Sequence, residues 1–268
     1  MLPILVNLGP VKIYSMGVCL VIGLFLSLYF WWKMGRDEHF DEIALFDGYF
    51  LSLITFLFAG RLGYVLTHAS DLGTFYRSIA LLAYPGINTV VGIVAAIIFI
   101  ILFARSHGWD EWKVADSVAV ALSIVLIFGS LGGLLNGNNP GMPASWGLIY
   151  PGQETPRVPL DILMIAWSVI TFGVVSRVRK NFRFYSWYKG ESSMAQEGLA
   201  SLIFVMLVGI YYLGAPWIDQ NVWKVGVMPG QFLVGLICVG VSGLLIYKRV
   251  GRRNEGLWSK LKSVIRRK

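Results

Sequence analysis

Seven apolar stretches, each long enough to cross a lipid bilayer, constrain the fold of this 268-residue chain more than any other feature. A helix needs about 20 predominantly apolar residues to span the hydrocarbon core. The mean hydropathy is +0.65 and only 14% of the residues are charged. The pattern therefore predicts an all-α membrane protein with seven transmembrane helices, at residues 13–32, 43–66, 87–104, 114–135, 159–178, 199–215 and 228–247.

Lysine and arginine are distributed unevenly between the two sides of such a protein. Eighteen of the 23 fall in segments that lie on one side, four fall on the other, and Arg61 lies within a span. Cytoplasmic loops are enriched in these residues, so we predict that the N-terminus is outside and the C-terminus is cytoplasmic. The net charge of +8 then mainly reflects topology, and we expect no nucleic-acid partner.

The chain divides into a transmembrane domain at 1–247 and a basic tail at 248–268. Leu257, Trp258 and Leu261 recur at helical spacing among lysines and arginines of the tail, which suits an amphipathic cytoplasmic helix on anionic lipid. A solvated charged segment is the alternative. Cys19 and Cys238 both lie in predicted spans, and no group of side chains has the spacing of metal ligands. We expect no metal and no cofactor.

One irregular segment, residues 129–141, interrupts this regular pattern where the fourth span reaches the outer surface. It reads Gly-Ser-Leu-Gly-Gly-Leu-Leu-Asn-Gly-Asn-Asn-Pro-Gly. Broken helix at membrane depth is tolerated only where it is buried in protein or lines a wet cavity, because hydrocarbon offers no hydrogen-bond partners. The segment is therefore the first candidate for a functional site.

Charged residues near the outer ends of the spans are further candidates, since such residues are costly at membrane depth. Arg61 is flanked by Gly60 and Gly63. It could hold a phosphate through two hydrogen bonds, snorkel to the interface or pair with a carboxylate. Asp161 follows Pro159 in the first turn of the fifth span. Arg157, four residues earlier, could pair with it, or Asp161 could belong to the site.

The order and spacing of several short motifs resemble those of the prolipoprotein diacylglyceryl transferase family. The matching residues are 13–17 (Ile-Tyr-Ser-Met-Gly), 60–64 (Gly-Arg-Leu-Gly-Tyr), 115–116 (Ala-Asp), Gly129, Gly132, Asn136, Gly137, Gly141, 146–147 (Trp-Gly), Pro151, 156–159 (Pro-Arg-Val-Pro) and 230–231 (Gly-Gln). The resemblance implies an enzyme of the bacterial inner membrane. Its substrates would be phosphatidylglycerol and a prolipoprotein with a lipobox, whose cysteine thiol would receive the diacylglyceryl group.

Several polar residues of the family pattern are replaced in this chain. Ser130 stands where the family has arginine, Gly133 where it has asparagine and Asn138 where it has glutamate. The family's Gln-Leu-Tyr-Glu motif reads Asp-Ile-Leu-Met at 161–164, and Met16 and Val90 replace a tyrosine and a histidine. The candidate phosphate ligands that remain are Arg61 and Arg157.

By the same resemblance, Asn136 and Ser130 would donate hydrogen bonds, and Asp161 or His68 would accept the thiol proton. The substrate-binding frame would further include Gly60, Tyr64, Gly132, Gly137 and Gly141. Two other interpretations stay open. In the first, the chain is a non-catalytic relative that binds phospholipid or lipoprotein precursor. In the second, it is a small transporter, a class in which broken helices also occur.

Overall fold

Helices dominate the computed structural model, which describes residues 2–7, 9, 12–68, 86–189, 197–220, 224–225 and 228–249. Seven of the described helices are long and apolar enough to cross a membrane, and each matches one predicted span. They are α1 (Ser15–Asp37), α2 (Glu42–Thr67), α3 (Thr89–Ser106), α4 (Glu111–Asn136), α5 (Leu160–Lys189), α6 (Leu199–Gly214) and α7 (Gly230–Arg249). The chain is a multi-pass membrane protein, and residues 250–268 of the predicted tail lie outside the described part.

Three small antiparallel sheets, which the all-α prediction missed, lie next to the helices, one before α1 and two in connections between helices. Each has two strands, and the described residues are otherwise mostly helical. The strands are β1 (Ile4–Asn7) with β2 (Lys12–Tyr14), β3 (Pro140–Leu148) with β4 (Arg157–Pro159), and β5 (Lys224–Val225) with β6 (Met228–Pro229). A 3₁₀ turn at Ala215–Trp217 follows α6.

The described chain forms two compact units, and one of them comprises Phe25–Ala121. Its apolar core is built around fully buried Leu45, Ala104 and Val114. Helix α2 packs against α3, and between helices in a membrane such contacts stabilise through close van der Waals packing. The indole N–H of Trp31 donates to the Leu45 carbonyl at 2.9 Å. Asp41 caps the start of α2 by accepting from the Ala44 N–H at 2.8 Å.

The other unit takes in the described residues of Met1–Leu24 and Leu122–Lys268. Here α6 packs against α5 and α7. The indole N–H of Trp167 on α5 donates to the Leu207 carbonyl on α6 at 2.9 Å. The β3–β4 hairpin links the end of α4 to the start of α5, so it determines which residues of the irregular segment lie near Asp161.

Candidate functional site

The irregular segment begins as regular helix and ends α4 with a glycine turn. Gly137 has a left-handed φ of +74°, a conformation that costs residues with a Cβ atom about 1 kcal/mol or more. The N–H groups of Gly137 and Asn138 both donate to the Gly133 carbonyl, at 2.8 and 3.1 Å. These two bonds satisfy a carbonyl that the helix end leaves free. The turn stops α4 at Asn136 and directs the chain into β3.

Pairing of β3 with β4 then brings the irregular segment to the first turn of α5. Pro140 lies opposite Pro159 in the sheet, so Asn139, one residue before Pro140, and Asp161, two residues after Pro159, become neighbours. The Asn139 Nδ2 donates to the Asp161 Oδ1 at 2.7 Å. A contact across 22 residues of sequence thus depends on the register of a short hairpin.

Asp161 is a buried carboxylate with a hydrogen bond to only one of its two oxygens among the described residues. Only 3% of the residue is exposed, and its Oδ2 has no hydrogen-bond partner among the described residues. Ion pairs in the described chain join Arg105 to Glu111 and Lys113 to Glu38, and none reaches Asp161. Burying an unpaired charge is costly, so such a group binds a partner or takes up a proton. The arrangement therefore suits a proton acceptor.

Tyr150 is another buried polar residue of the same unit, one that the sequence analysis did not select. It lies just beyond β3, 2% of it is exposed, and its hydroxyl has no partner in the part of the chain that the structure describes. Burial raises the pKa of this hydroxyl above its ordinary value of 10.0, and the negative charge of Asp161 raises it further. The hydroxyl therefore stays protonated at neutral pH.

Arg157 is held by the hairpin instead of pairing with Asp161. Its Nη1 donates to the Gly141 carbonyl at 3.3 Å and to the side-chain oxygen of Gln220. Its Nε is buried without a partner among the described residues. A guanidinium that is held in place by hydrogen bonds and has a further N–H available is a good ligand for a phosphate oxygen.

The amides at the end of α4 contact one another and α1. Asn136 Nδ2 donates to Asn138 Oδ1 at 2.6 Å, and Asn138 Nδ2 approaches the Met16 sulfur at 3.6 Å. Gly132 lies against Met16 as well, since a Cβ at position 132 would come within 3.0 Å of the Met16 Cα. Ser130 is half-buried, six residues or a little over one and a half turns before Asn136 on the same helix.

Three other predicted residues, Gly60, Arg61 and Tyr64, belong to the unit of Phe25–Ala121 and are described within it. Arg61 is 7% exposed. Its Nη1 donates to the Gly86 carbonyl at 2.9 Å, and its guanidinium carbon lies 5.6 Å from the centre of the Tyr64 ring. The Gly60 carbonyl accepts from the Asn88 N–H at 2.9 Å. The bond to the Gly86 carbonyl holds Arg61 against the residues just before α3.

Comparison with known proteins agrees with the family resemblance of the sequence motifs. The model of the prolipoprotein diacylglyceryl transferase family matches residues 3–245. The chain belongs to this family. It is 27% identical to the phosphatidylglycerol–prolipoprotein diacylglyceryl transferase of Acidiphilium cryptum over 95% of both chains. The enzyme of the same name in Bordetella avium is 24% identical over 94% of this chain and 96% of its own.

Within this family member, the structure brings together only some of the residues selected from the sequence. Arg157 begins β4, Asp161 lies two residues beyond the end of that strand, and Gly137 and Gly141 bracket the start of β3. Asn139 was part of the irregular segment but had no role assigned to it. The signal for Tyr150 was faint, because an aromatic residue before the Pro151–Gly152 turn carries no charge and no motif.

Proposed function

We propose that this family member transfers the diacylglyceryl group of phosphatidylglycerol to the lipobox cysteine of a prolipoprotein. The buried Asp161 carboxylate, with one oxygen held by Asn139 and the other without a partner, is the observation that carries the proposal. Asp161 offers a group that can accept a thiol proton, and the family model matches nearly the whole chain. The names of the relatives supply the two substrates.

The reaction makes two demands that named residues would meet. A thiol with a pKa of about 8.5 must lose its proton to become a good nucleophile, and we assign that proton to Asp161. The departing phosphate needs hydrogen-bond donors in a water-poor site. We assign this role to Arg157 and Arg61, with Asn136 and Ser130 as neutral donors. The substrate-binding frame would comprise Gly60, Tyr64, Gly132, Gly137 and Gly141.

We further propose that the protein lies in the bacterial inner membrane with its N-terminus outside and its C-terminus in the cytoplasm. The distribution of lysine and arginine supports this orientation. The irregular end of α4 and the start of α5 then face the outer side, where a secreted precursor would present its cysteine.

Purified protein in vesicles provides the test. Phosphatidylglycerol vesicles and a lipobox peptide should give a peptide whose mass has increased by one diacylglyceryl group, together with free glycerol phosphate. A matched peptide with serine in place of the cysteine should give neither product, because a hydroxyl is a far weaker nucleophile at neutral pH. Absence of the thioether with the cysteine peptide would refute the proposed activity.

A second candidate function is binding of phospholipid or precursor without transfer. Ser130 and Gly133 favour it, since neither has the charged or amide side chain of the family pattern. Copurification of unaltered lipid, with no product in the vesicle assay, would support this alternative over the transferase.

A further inference from the structure

The short segment that follows α6, residues 215–220, lies against the β3–β4 hairpin. The Met142 N–H of β3 donates to the Ile218 carbonyl at 2.9 Å, and Gly141 pairs with Asp219 in an isolated antiparallel bridge. The start of β3 is therefore contacted both by β4 and by the end of α6. These contacts join the outer ends of α4, α5 and α6 in one small extramembrane structure.

Gly141 is the point at which these stretches of chain come closest. A Cβ atom at this position would lie 2.8 Å from the carbonyl oxygen of Ile218 and 2.8 Å from that of Val158. Both neighbours are backbone atoms, which cannot turn aside as the end of a flexible side chain can. The glycine thus allows the segment after α6 to approach the hairpin closely enough for its last residue, Gln220, to reach Arg157.

Arg157 is held at this junction through one nitrogen. Its Nη1 donates to the Gly141 carbonyl at 3.3 Å and to the Oε1 of Gln220. Since Nη1 carries two N–H groups, these acceptors use both of them. The Nε lies on the other side of the planar guanidinium, where it forms a two-donor edge with Nη2, and it has no partner among the described residues. Such an edge can donate to two oxygens of a phosphate at once.

Both acceptors on Nη1 are neutral, and this matters for the use of Arg157. A carboxylate at position 220 would hold the guanidinium equally well but would also offset its positive charge. The carbonyl of Gly141 and the amide oxygen of Gln220 fix the orientation and leave the charge for an anion. Gln220 itself is exposed, so its side chain contributes little to the packing of the protein.

We propose that Gln220 is a positioning residue for Arg157. Its side-chain oxygen, together with the Gly141 carbonyl, holds Nη1 so that the Nε edge of the guanidinium binds the phosphate of phosphatidylglycerol. This inference rests on the proposed function, in which Arg157 is a ligand of that phosphate. Gln220 acts through Arg157 and donates nothing to the lipid.

The first test measures lipid binding without turnover. Full-length protein in a non-ionic detergent is titrated with dioctanoyl phosphatidylglycerol and with dioctanoylglycerol, which has no phosphate. Wild-type protein should prefer the phospholipid. Gln220→Ala should lower this preference about 3- to 10-fold, as the loss of one hydrogen bond allows, and should bind dioctanoylglycerol as the wild type does.

Gln153→Ala is the matched control. Gln153 is another glutamine of the same unit, and its backbone N–H donates to the Tyr150 carbonyl at 3.0 Å, a bond that the substitution leaves in place. Its preference for the phospholipid should equal that of the wild type. A decrease of the same size in both variants would overturn the assignment, because the effect would then not be specific to Gln220.

A double-mutant cycle tests whether Gln220 acts through Arg157. Arg157→Ala alone should lower the preference for the phospholipid at least as much as Gln220→Ala does. Adding Gln220→Ala to Arg157→Ala should then have no further effect, since residues that share one interaction are not additive. Additive losses would show that Gln220 contributes independently of Arg157 and would overturn the proposal.

Gln220→Glu separates positioning from a structural role. Glutamate keeps an acceptor for Nη1 and forms a stronger, charge-assisted bond with it, so this variant should melt no lower than the wild type. Its negative charge opposes the phosphate, and at low ionic strength it should bind dioctanoyl phosphatidylglycerol about 3- to 10-fold more weakly. Unchanged phospholipid binding by Gln220→Glu would leave Gln220 a structural role only and overturn the proposal.

Turnover in the vesicle assay separates this inference from the proposed function. Gln220→Ala should lower kcat/KM for phosphatidylglycerol about tenfold and leave the KM for the lipobox peptide unchanged. A phospholipid preference that depends on Gln220 and Arg157 together, with no thioether from the wild type, would sustain the positioning role and refute the transfer. Thioether formation with unchanged lipid binding and unchanged kcat/KM in Gln220→Ala would overturn the role of Gln220 alone.

Discussion

At the scale of single residues, the space around Asp161 depends on a missing side chain. A Cβ atom at Gly133 would come within 3.0 Å of Asp161 Oδ1 and 3.3 Å of Oδ2. The family pattern has asparagine at this position, and this chain has glycine opposite an aspartate. The absent side chain at 133 and the buried carboxylate at 161 therefore accommodate each other.

Gly133→Ala should lower the rate of thioether formation about tenfold. The added methyl would push Asp161 away from Asn139, whose hydrogen bond to Oδ1 is 2.7 Å long, and misplacement of a catalytic group by even 1 Å is costly. Gly173→Ala on α5 is the control, since a Cβ there meets nothing within 4 Å. Equal rates of thioether formation by Gly133→Ala and Gly173→Ala in the vesicle assay would show that the reaction does not depend on the absence of a side chain at position 133.

At the scale of elements, the turn at Gly137 joins the membrane helix α4 to the hairpin that orients the site. Its φ of +74° and the two hydrogen bonds to the Gly133 carbonyl determine where the helix stops. The position of β3, and through it the contact between Asn139 and Asp161, follows from this turn.

Gly137→Ala should destabilise the protein by about 1 kcal/mol, because the left-handed conformation strains a residue with a Cβ atom. In a protein of this size, thermal melting in detergent should show a decrease in Tm of about 2–4 °C. Gly240→Ala on α7, where a Cβ has open space, should not lower Tm. An unchanged Tm for Gly137→Ala would contradict this prediction, because the turn would then accommodate a Cβ atom without loss of stability.

The elements differ in how well the sequence predicts them. All seven helices follow from apolar runs, since a span must satisfy its own backbone hydrogen bonds, and α2, for example, extends only one residue beyond each predicted end. The β3–β4 hairpin was missed because two prolines and two glycines in β3 obscure any strand pattern. Asp161 and Arg157 were selected as candidates by residue type. Asn139 was not, because its contact with Asp161 depends on the hairpin's register, and Tyr150 was not, because its burial appears only in the folded chain.

At the scale of the whole molecule, the asymmetry of positive charge carries a prediction about orientation. Eighteen of the 23 lysines and arginines lie in segments expected on the cytoplasmic side. The two ends of α1 provide convenient probes, since Lys12 precedes this helix, Arg36 lies in its last turn, and both are exposed.

Single cysteines at these two sites should react differently with a membrane-impermeant thiol reagent in intact cells stripped of their outer membrane. After Cys19 and Cys238 are replaced by alanine, Lys12→Cys should be labelled at once and Arg36→Cys only after permeabilisation. The reverse pattern would place the N-terminus in the cytoplasm and put the irregular segment on the wrong side for a secreted precursor.

The central claim, that a diacylglyceryl transfer depends on the Asp161 carboxylate, is tested most directly by mass spectrometry of the lipobox peptide after incubation with phosphatidylglycerol vesicles. Wild-type protein should convert the peptide to the thioether. Asp161→Asn, which keeps the shape and loses the proton acceptor, should slow conversion about 100-fold or more, within the range that general-base catalysis contributes. Equal conversion by both proteins, or none by the wild type, would contradict the account.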